Sequence, residues 1–149
     1  MVKRLLAVFA AALFVGTVVF LGLSGAAQEV PEKIVIKSGL WKAHTKAAVE
    51  FSHKKHAEVY NIKCTDCHHV YKDGKNVWKQ GDEVRTCMAC HTEPTIQGEK
   101  KLPEAQQKLN LKLAYHENCV GCHKALKLKD REKYANIPTT CMNCHPKEK

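Results

Sequence analysis

Large aromatic side chains are scarce in this sequence of 149 residues, of which Phe, Tyr and Trp make up 7%. A chain of one-domain length with so few bulky apolar side chains cannot build a generous core, so something else must fill its interior. No Gly-rich phosphate-binding loop occurs, which excludes the usual nucleotide-binding α/β enzymes. The sequence has a single long apolar run, which excludes a bundle of transmembrane helices.

That apolar run lies near the amino terminus. Two basic residues precede Leu5–Leu23, a stretch of 19 residues without a charge, and the small residues Ser24–Ala27 follow it. This order is typical of secretory signal peptides, so we predict a signal peptide at residues 1–27 and one folded domain at residues 28–149. A run of this length can also span a bilayer, and an uncleaved anchor is the alternative. In both cases we expect the domain to lie outside the cytoplasm.

Cysteine follows one strict pattern in the rest of the chain. All eight cysteines fall into four copies of C-x-x-C-H, and none is left over. The cysteines are Cys64, Cys67, Cys87, Cys90, Cys119, Cys122, Cys141 and Cys144, and the histidines that complete the motifs are His68, His91, His123 and His145.

C-x-x-C-H is the attachment motif of c-type haem. Two thiols three residues apart lie on one side of a helical turn, where they can form thioether bonds to the two vinyl groups of one haem. The histidine that follows can bind the haem iron as its proximal ligand. Structural zinc and disulfides are the alternatives, but neither requires a histidine after every cysteine pair. The sequence therefore predicts four covalently bound haem c groups, numbered 1 to 4 in the order of their motifs.

Five further histidines could bind the irons from the opposite side: His44, His53, His56, His69 and His116. Four irons need four such ligands, so one histidine is spare, and we expect His44 to be a solvated or structural residue. An iron with two histidine ligands has no open position for a substrate. Two histidine ligands at every iron would thus favour an electron carrier over an enzyme.

From about Val30 to His145 the sequence resembles the class III multihaem cytochromes, the tetrahaem cytochrome c3 family of sulfate-reducing bacteria. The most specific segment is Phe51–His56, which reads F-x-H-x-x-H and ends eight residues before Cys64. The resemblance implies a mainly α fold with much loop and a small β-hairpin, wrapped around four c-type haems.

The resemblance also implies which histidine is the distal ligand of each iron. It assigns His53 to haem 1, His69 to haem 2, His56 to haem 3 and His116 to haem 4. The sequence departs from the family in two respects. All four motifs here are short, whereas many relatives have C-x-x-x-x-C-H at haems 2 and 4. His116 also lies only three residues before Cys119, closer than in the best-known relatives.

A function follows from the same resemblance. It implies a periplasmic, low-potential carrier that moves electrons between a hydrogenase or formate dehydrogenase and a membrane-bound redox complex. The formal net charge is +9, but export and haem exclude a nucleic-acid partner. In relatives, lysines around haem 4 form a docking face, and the candidates here are Lys124, Lys127, Lys129 and Lys133. The alternatives are a membrane-anchored quinol-oxidising cytochrome and a small multihaem reductase with one open iron.

Local patterns predict the secondary structure between the motifs. The β-prone segments Ile34–Ile36 and Val49–Phe51 are expected to pair as a hairpin. Helices are expected from Pro103 to Tyr115 and over residues 120–129. Glycine next to aspartate predicts turns at residues 73–74 and 81–82.

Overall fold

The computed structural model describes residues 29–147, so the predicted signal peptide or anchor at residues 1–27 lies outside the described part. Short elements joined by loops make up this part of the chain. The strands are β1 (Ile34–Ile36), β2 (Val49–Phe51), β3 (Tyr71–Lys72) and β4 (Lys75–Asn76), and the α-helices are α1 (Cys64–Cys67), α2 (Glu104–Leu109), α3 (Leu111–His116), α4 (Cys122–Lys129) and α5 (Cys141–Cys144). Single π-helical turns lie at Lys55–Val59 and Glu117–Gly121, and 3-10 turns at Cys87–Ala89 and Glu99–Lys101. Between residues 29 and 147 no helix has the length and apolarity that crossing a bilayer requires.

The predicted pairing of the first two strands is confirmed. Strands β1 and β2 are antiparallel, with Ile34 opposite Phe51 and Ile36 opposite Val49. Branched and aromatic side chains favour extended backbone, which explains why these two short segments pair despite their length. The hairpin positions Phe51 directly before the two histidines of the F-x-H-x-x-H segment.

The predicted turn at residues 73–74 is also confirmed, and it joins a second small hairpin. Strands β3 and β4 pair antiparallel on either side of Asp73 and Gly74. These two residues have φ angles of 50° and 74°, the left-handed conformation that a two-residue type I′ turn requires. Each strand has only two residues, too few to give a periodic signal, so the sequence predicted the turn without the strands.

The prediction of one continuous helix from Pro103 to Tyr115 is wrong at Asn110. This residue has extended backbone angles and separates α2 from α3. Its side-chain Oδ1 accepts a hydrogen bond from the Leu113 amide at 2.9 Å, which caps the start of α3. Its Nδ2 donates to the Glu93 carboxylate and to the Thr95 carbonyl, so a contact with a distant loop breaks the helix.

The helix predicted over residues 120–129 is present. It consists of the π-helical turn at Glu117–Gly121 and of α4, which follows without a break and ends at Lys129. Because α3 leads directly into this turn, His116 and the third C-x-x-C-H motif belong to one helical segment.

The apolar core of the described part is very small. Only Trp78, Leu111 and Leu113 are apolar and less than a tenth exposed within residues 29–147, and Leu111 is the most deeply buried of them. Asn110 is fully buried beside Leu111. Two of these three apolar side chains, Leu111 and Leu113, belong to α3, so this helix contributes most of the core.

Substitution Leu111→Ala should destabilise the protein because it opens a cavity in this small core. We expect the free energy of unfolding to fall by about 2–5 kcal/mol, as for other buried leucines. Denaturation in guanidinium chloride, followed by circular dichroism, measures the change. The control is Leu128→Ala, since Leu128 is 76% exposed and should change stability by less than about 0.5 kcal/mol. Equal losses in the two variants would contradict this account of the core.

Candidate haem sites

Each cysteine pair lies in a helical turn, as the spacing of the motif predicts. The first and fourth pairs span α1 and α5, the second begins the 3-10 turn at Cys87, and the third joins the π-helical turn to α4. The histidine after the pair closes the turn in three motifs: its backbone N–H donates to the carbonyl of the first cysteine at 2.8 Å in His68, 2.9 Å in His91 and 2.7 Å in His145. The turn therefore fixes the histidine relative to both cysteines.

The structure brings eight histidine rings together in four pairs. Each pair joins one motif histidine to one that lies outside the C-x-x-C-H positions. The distances between ring centres are 6.0 Å for His53 and His68, 5.8 Å for His69 and His91, 6.2 Å for His56 and His123, and 6.5 Å for His116 and His145. These are the four combinations that the resemblance implies.

The distances between these ring centres fit an iron bound between two imidazoles. A bond from imidazole nitrogen to a first-row metal is about 2 Å long, and the nitrogen lies about 1 Å from its ring centre, so two opposed rings are about 6 Å apart. All four observed distances, 5.8 to 6.5 Å, are close to this value. The donor set of two thiols and two imidazoles at each position also fits haem c.

Hydrogen bonds orient half of these rings. Four imidazole Nδ1 atoms lie 2.7–2.9 Å from backbone carbonyl oxygens: those of His56, His91, His123 and His145, facing Ser52, Lys108, Pro138 and Ala47. A carbonyl can only accept a hydrogen bond, so we assign the proton to Nδ1 in each of the four rings. The Nε2 atom of each ring then keeps its lone pair, which is the form that binds a metal.

Packing holds the rings of the first pair. The His68 ring stacks on Trp78 at 4.9 Å, and the Trp78 indole N–H donates to the Glu83 carbonyl at 3.2 Å. The Phe51 ring meets His53 edge-on at 5.7 Å. The Nδ1 atom of His53 is buried and has no hydrogen-bond partner within the described residues. In this pair, aromatic contacts thus replace the carbonyl contact that orients the rings of His56, His91, His123 and His145.

Asn76 is a site residue that the sequence did not predict. Its Nδ2 donates to the His68 carbonyl at 3.1 Å, and its Oδ1 accepts from the Val70 amide at 3.0 Å and the Trp78 amide at 3.1 Å. One side chain therefore ties the end of the first motif to the second hairpin. A single asparagine beside a turn carries no sequence signal for such a role.

Burial keeps several of these histidines neutral. It lowers the pKa of His68, His91 and His116 below the ordinary value for histidine. Neutral imidazole is the form that binds metal, so the surroundings favour ligation at neutral pH. Burial also raises the pKa of the Cys119 thiol to about 11, the opposite of what a cysteine nucleophile needs.

The fifth remaining histidine lies apart from the four pairs. The His44 ring contacts Trp41 edge-on at 6.2 Å and has no imidazole partner in the described part of the chain.

The cysteines form no disulfides with one another, and all eight of them are free. No cluster of three or more His, Cys, Asp or Glu side chains in residues 29–147 is arranged to hold a metal ion.

The four candidate docking lysines lie on α4 and just after it. Lys124, Lys129 and Lys133 are exposed, and Lys127 donates to the Ala135 carbonyl at 3.1 Å. None of the four forms an ion pair with another described residue. Leu128, which is 76% exposed, lines a groove of about 350 Å³ together with Lys124, Lys127, Arg131 and Thr139.

Comparison with known proteins decides the family. The model of the class III cytochrome c family matches residues 27–146. The chain belongs to this family. It is 40% identical over 123 residues to a cytochrome c3 of Maridesulfovibrio salexigens, an alignment that covers 81% of this chain and 99% of that protein. It is 33% identical over 126 residues to a cytochrome c3 of Desulfovibrio desulfuricans, covering 80% of this chain and 98% of that one.

A larger protein contains a similar region. The chain is 31% identical over 134 residues to a high-molecular-weight cytochrome c of Nitratidesulfovibrio vulgaris, covering 78% of this chain and 21% of that protein. The resemblance stated from the motifs is therefore confirmed. As a class III cytochrome the chain binds four covalent haem c groups and is an electron carrier, not an enzyme.

Proposed function

We propose that the four C-x-x-C-H motifs and the four histidine pairs form the haem sites. Thioether bonds join haem 1 to Cys64 and Cys67, haem 2 to Cys87 and Cys90, haem 3 to Cys119 and Cys122, and haem 4 to Cys141 and Cys144. The proximal and distal ligands are His68 and His53, His91 and His69, His123 and His56, and His145 and His116, in the same order. The observation that carries this proposal is the distance of 5.8 to 6.5 Å between the rings of every pair.

The fold is wrapped around these haems, which take the place of a larger apolar core. Two observations support this part of the proposal. Only three apolar side chains of the described part are less than a tenth exposed. The histidine pairs also join distant parts of the chain, since His56 faces His123 and the His145 ring reaches the Ala47 carbonyl. A haem at each pair would cross-link these segments.

The chain acts as a low-potential electron carrier in the periplasm. When bound, haem supplies an iron that alternates between the ferric and ferrous states. The two histidines of each pair would hold that iron, would leave it no position for a substrate and would give it a lower potential than a methionine ligand would. The chain takes electrons from a hydrogenase or formate dehydrogenase and passes them to a membrane-bound redox complex, and residues 1–27 direct its export.

Removing a distal histidine should open one iron without releasing its haem. In His53→Ala and His69→Ala we expect all four haems to remain attached, because the thioether bonds are intact, and one iron to become high-spin and to bind carbon monoxide. Optical spectra of the reduced protein with and without carbon monoxide measure this change. His116→Ala tests haem 4, whose ring pair is the widest at 6.5 Å.

The matched control is His44→Ala, which removes the histidine that has no imidazole partner among the described residues. It should leave four low-spin irons and no carbon monoxide binding. A low-spin spectrum that is unchanged in His53→Ala and His69→Ala would remove both residues as ligands. High-spin iron in the unsubstituted protein would instead favour a reductase with an open site.

The docking surface for the redox partner is formed by Lys124, Lys127, Lys129 and Lys133. Two features of these residues support this. They have no acidic ion-pair partner in the described part, so their charge is available to an acidic protein. The exposed Leu128 between them supplies apolar contact area in the middle of a basic surface. Such an arrangement speeds encounter with a negatively charged partner.

Electron transfer from a periplasmic hydrogenase should therefore slow steeply as salt is added, because salt screens attraction between exposed charges. The charge reversals Lys124→Glu and Lys129→Glu, combined, should lower the second-order rate constant and flatten its dependence on ionic strength. Stopped-flow reduction of the cytochrome by hydrogenase under hydrogen measures both quantities.

The control is the combination Lys72→Glu and Lys75→Glu on the β3–β4 hairpin, where both side chains are also exposed. It changes the net charge by the same amount but leaves α4 intact. We expect its rate constant to stay close to that of the unsubstituted protein. An equal loss in the two double variants, or a rate that does not depend on salt, would rule out docking at α4.

A further inference from the structure

One ion pair in the described part is less exposed to water than the others. The Lys112 ammonium lies 2.6 Å from the Glu99 carboxylate, and the two side chains are 27% and 13% exposed. In each of the other ion pairs of residues 29–147 both side chains are at least 44% exposed. Charges that are removed from water are screened less, so this pair acts more strongly on its surroundings than a surface pair does.

Further hydrogen bonds fix the position of this pair. The Lys112 ammonium also donates to the Ile96 carbonyl at 2.6 Å. Hydrogen bonding from Lys112 lowers the pKa of the Glu99 carboxyl, so Glu99 is ionised at neutral pH. Both charges are therefore present and held in place.

The pair lies next to the proposed distal ligand of haem 4. Lys112 and His116 are four residues apart on α3, which places them on the same face of the helix, one turn apart. Residues four apart on a helix have Cβ atoms about 5–6 Å apart. The 3-10 turn at Glu99–Lys101 packs against α3, and Glu99 pairs with Lys112 at 2.6 Å. Two charges of opposite sign therefore lie close to the proposed ligand.

We propose that Glu99 and Lys112 set the reduction potential of haem 4, the haem whose iron lies between His116 and His145. Reduction adds one electron from the donor protein to the ferric iron, so a nearby positive charge favours it and a nearby negative charge opposes it. In the intact pair the carboxylate compensates for the ammonium. This inference rests on the proposed ligation of haem 4. Neither residue is a proposed ligand, and both would act on the haem through their charge.

The two single substitutions should shift the potential in opposite directions. Glu99→Gln leaves the Lys112 charge uncompensated and should raise the midpoint potential of haem 4. Lys112→Gln leaves the Glu99 charge and should lower it. A unit charge about 10 Å from a redox centre, at an effective dielectric constant of about 20, changes the equilibrium constant of reduction by a factor on the order of ten. For a one-electron couple a tenfold change is about 59 mV, so we expect shifts of about that size.

A combination of variants separates charge from structure. In the double variant Glu99→Gln with Lys112→Gln, the potential of haem 4 should return close to that of the unsubstituted protein. Lys112→Arg keeps the charge and should leave the potential nearly unchanged. The matched control is the pair Lys33 and Glu50 at the first hairpin, whose charged atoms lie 3.5 Å apart and whose side chains are 65% and 72% exposed. Lys33→Gln and Glu50→Gln should leave the potential of haem 4 unchanged.

The experiment is a redox titration of the haem-loaded protein, followed by NMR of haem methyl signals that are assigned to each haem through the residues of its motif. A shift of the same sign in Glu99→Gln and Lys112→Gln would overturn the proposal. Removing opposite charges must shift the potential in opposite directions, whereas a loss of structure can shift it in the same direction in both variants. Equal shifts at all four haems, or none at haem 4, would overturn it as well.

Failure of this inference can be told apart from failure of the ligation on which it rests. Each variant is also tested for carbon monoxide binding. If His116→Ala binds carbon monoxide at haem 4 and the Glu99 and Lys112 variants do not shift its potential, the ligation stands and the tuning is wrong. If His116→Ala leaves haem 4 low-spin, the ligation itself is wrong.

Discussion

The proposed haem sites depend on one distance, the separation of about 6 Å between facing imidazole rings, which is the separation that two metal–nitrogen bonds would require. Each pair joins a histidine fixed by a helical turn to one that another part of the chain supplies. Because the F-x-H-x-x-H segment provides His53 and His56, one short stretch after β2 contributes to two of the four pairs. The proposed ligation would thus connect this one stretch to the haems of the first and the third motif.

Electrostatics acts on two scales around these pairs. In the proposed docking surface Lys124, Lys129 and Lys133 are exposed, so their charge would steer a partner at long range and would be screened by salt. The ion pair of Glu99 and Lys112 is less exposed, so its two charges would act over a short range on haem 4. The first arrangement would govern how fast a partner arrives, and the second would govern the potential of one haem.

Covalent spacing made much of this site predictable from the sequence. Two cysteines three positions apart lie on one side of a helical turn, and the structure has such a turn at every motif. The identity of each facing histidine could not be derived from spacing, since His116 is near the third motif in the chain but its ring lies beside His145 of the fourth. The resemblance supplied that pairing because it carries information about a fold that local patterns do not contain.

Contacts between distant segments explain what sequence patterns missed. The break in the predicted helix at Asn110 depends on Glu93 and Thr95, residues on a loop that helix propensity does not include. The roles of Asn76 and of the Glu99–Lys112 pair likewise depend on partners several residues or more away in the chain. Strands as short as β3 and β4 have too few residues for a periodic pattern, so the sequence predicts only the turn between them.

The central claim is that four covalently bound haems organise this chain. The most direct test is a pyridine haemochrome assay combined with the intact mass of the purified protein and its metal content. The account predicts four haem equivalents for each polypeptide, all covalently attached. Fewer than four, or zinc bound in place of haem, would contradict it.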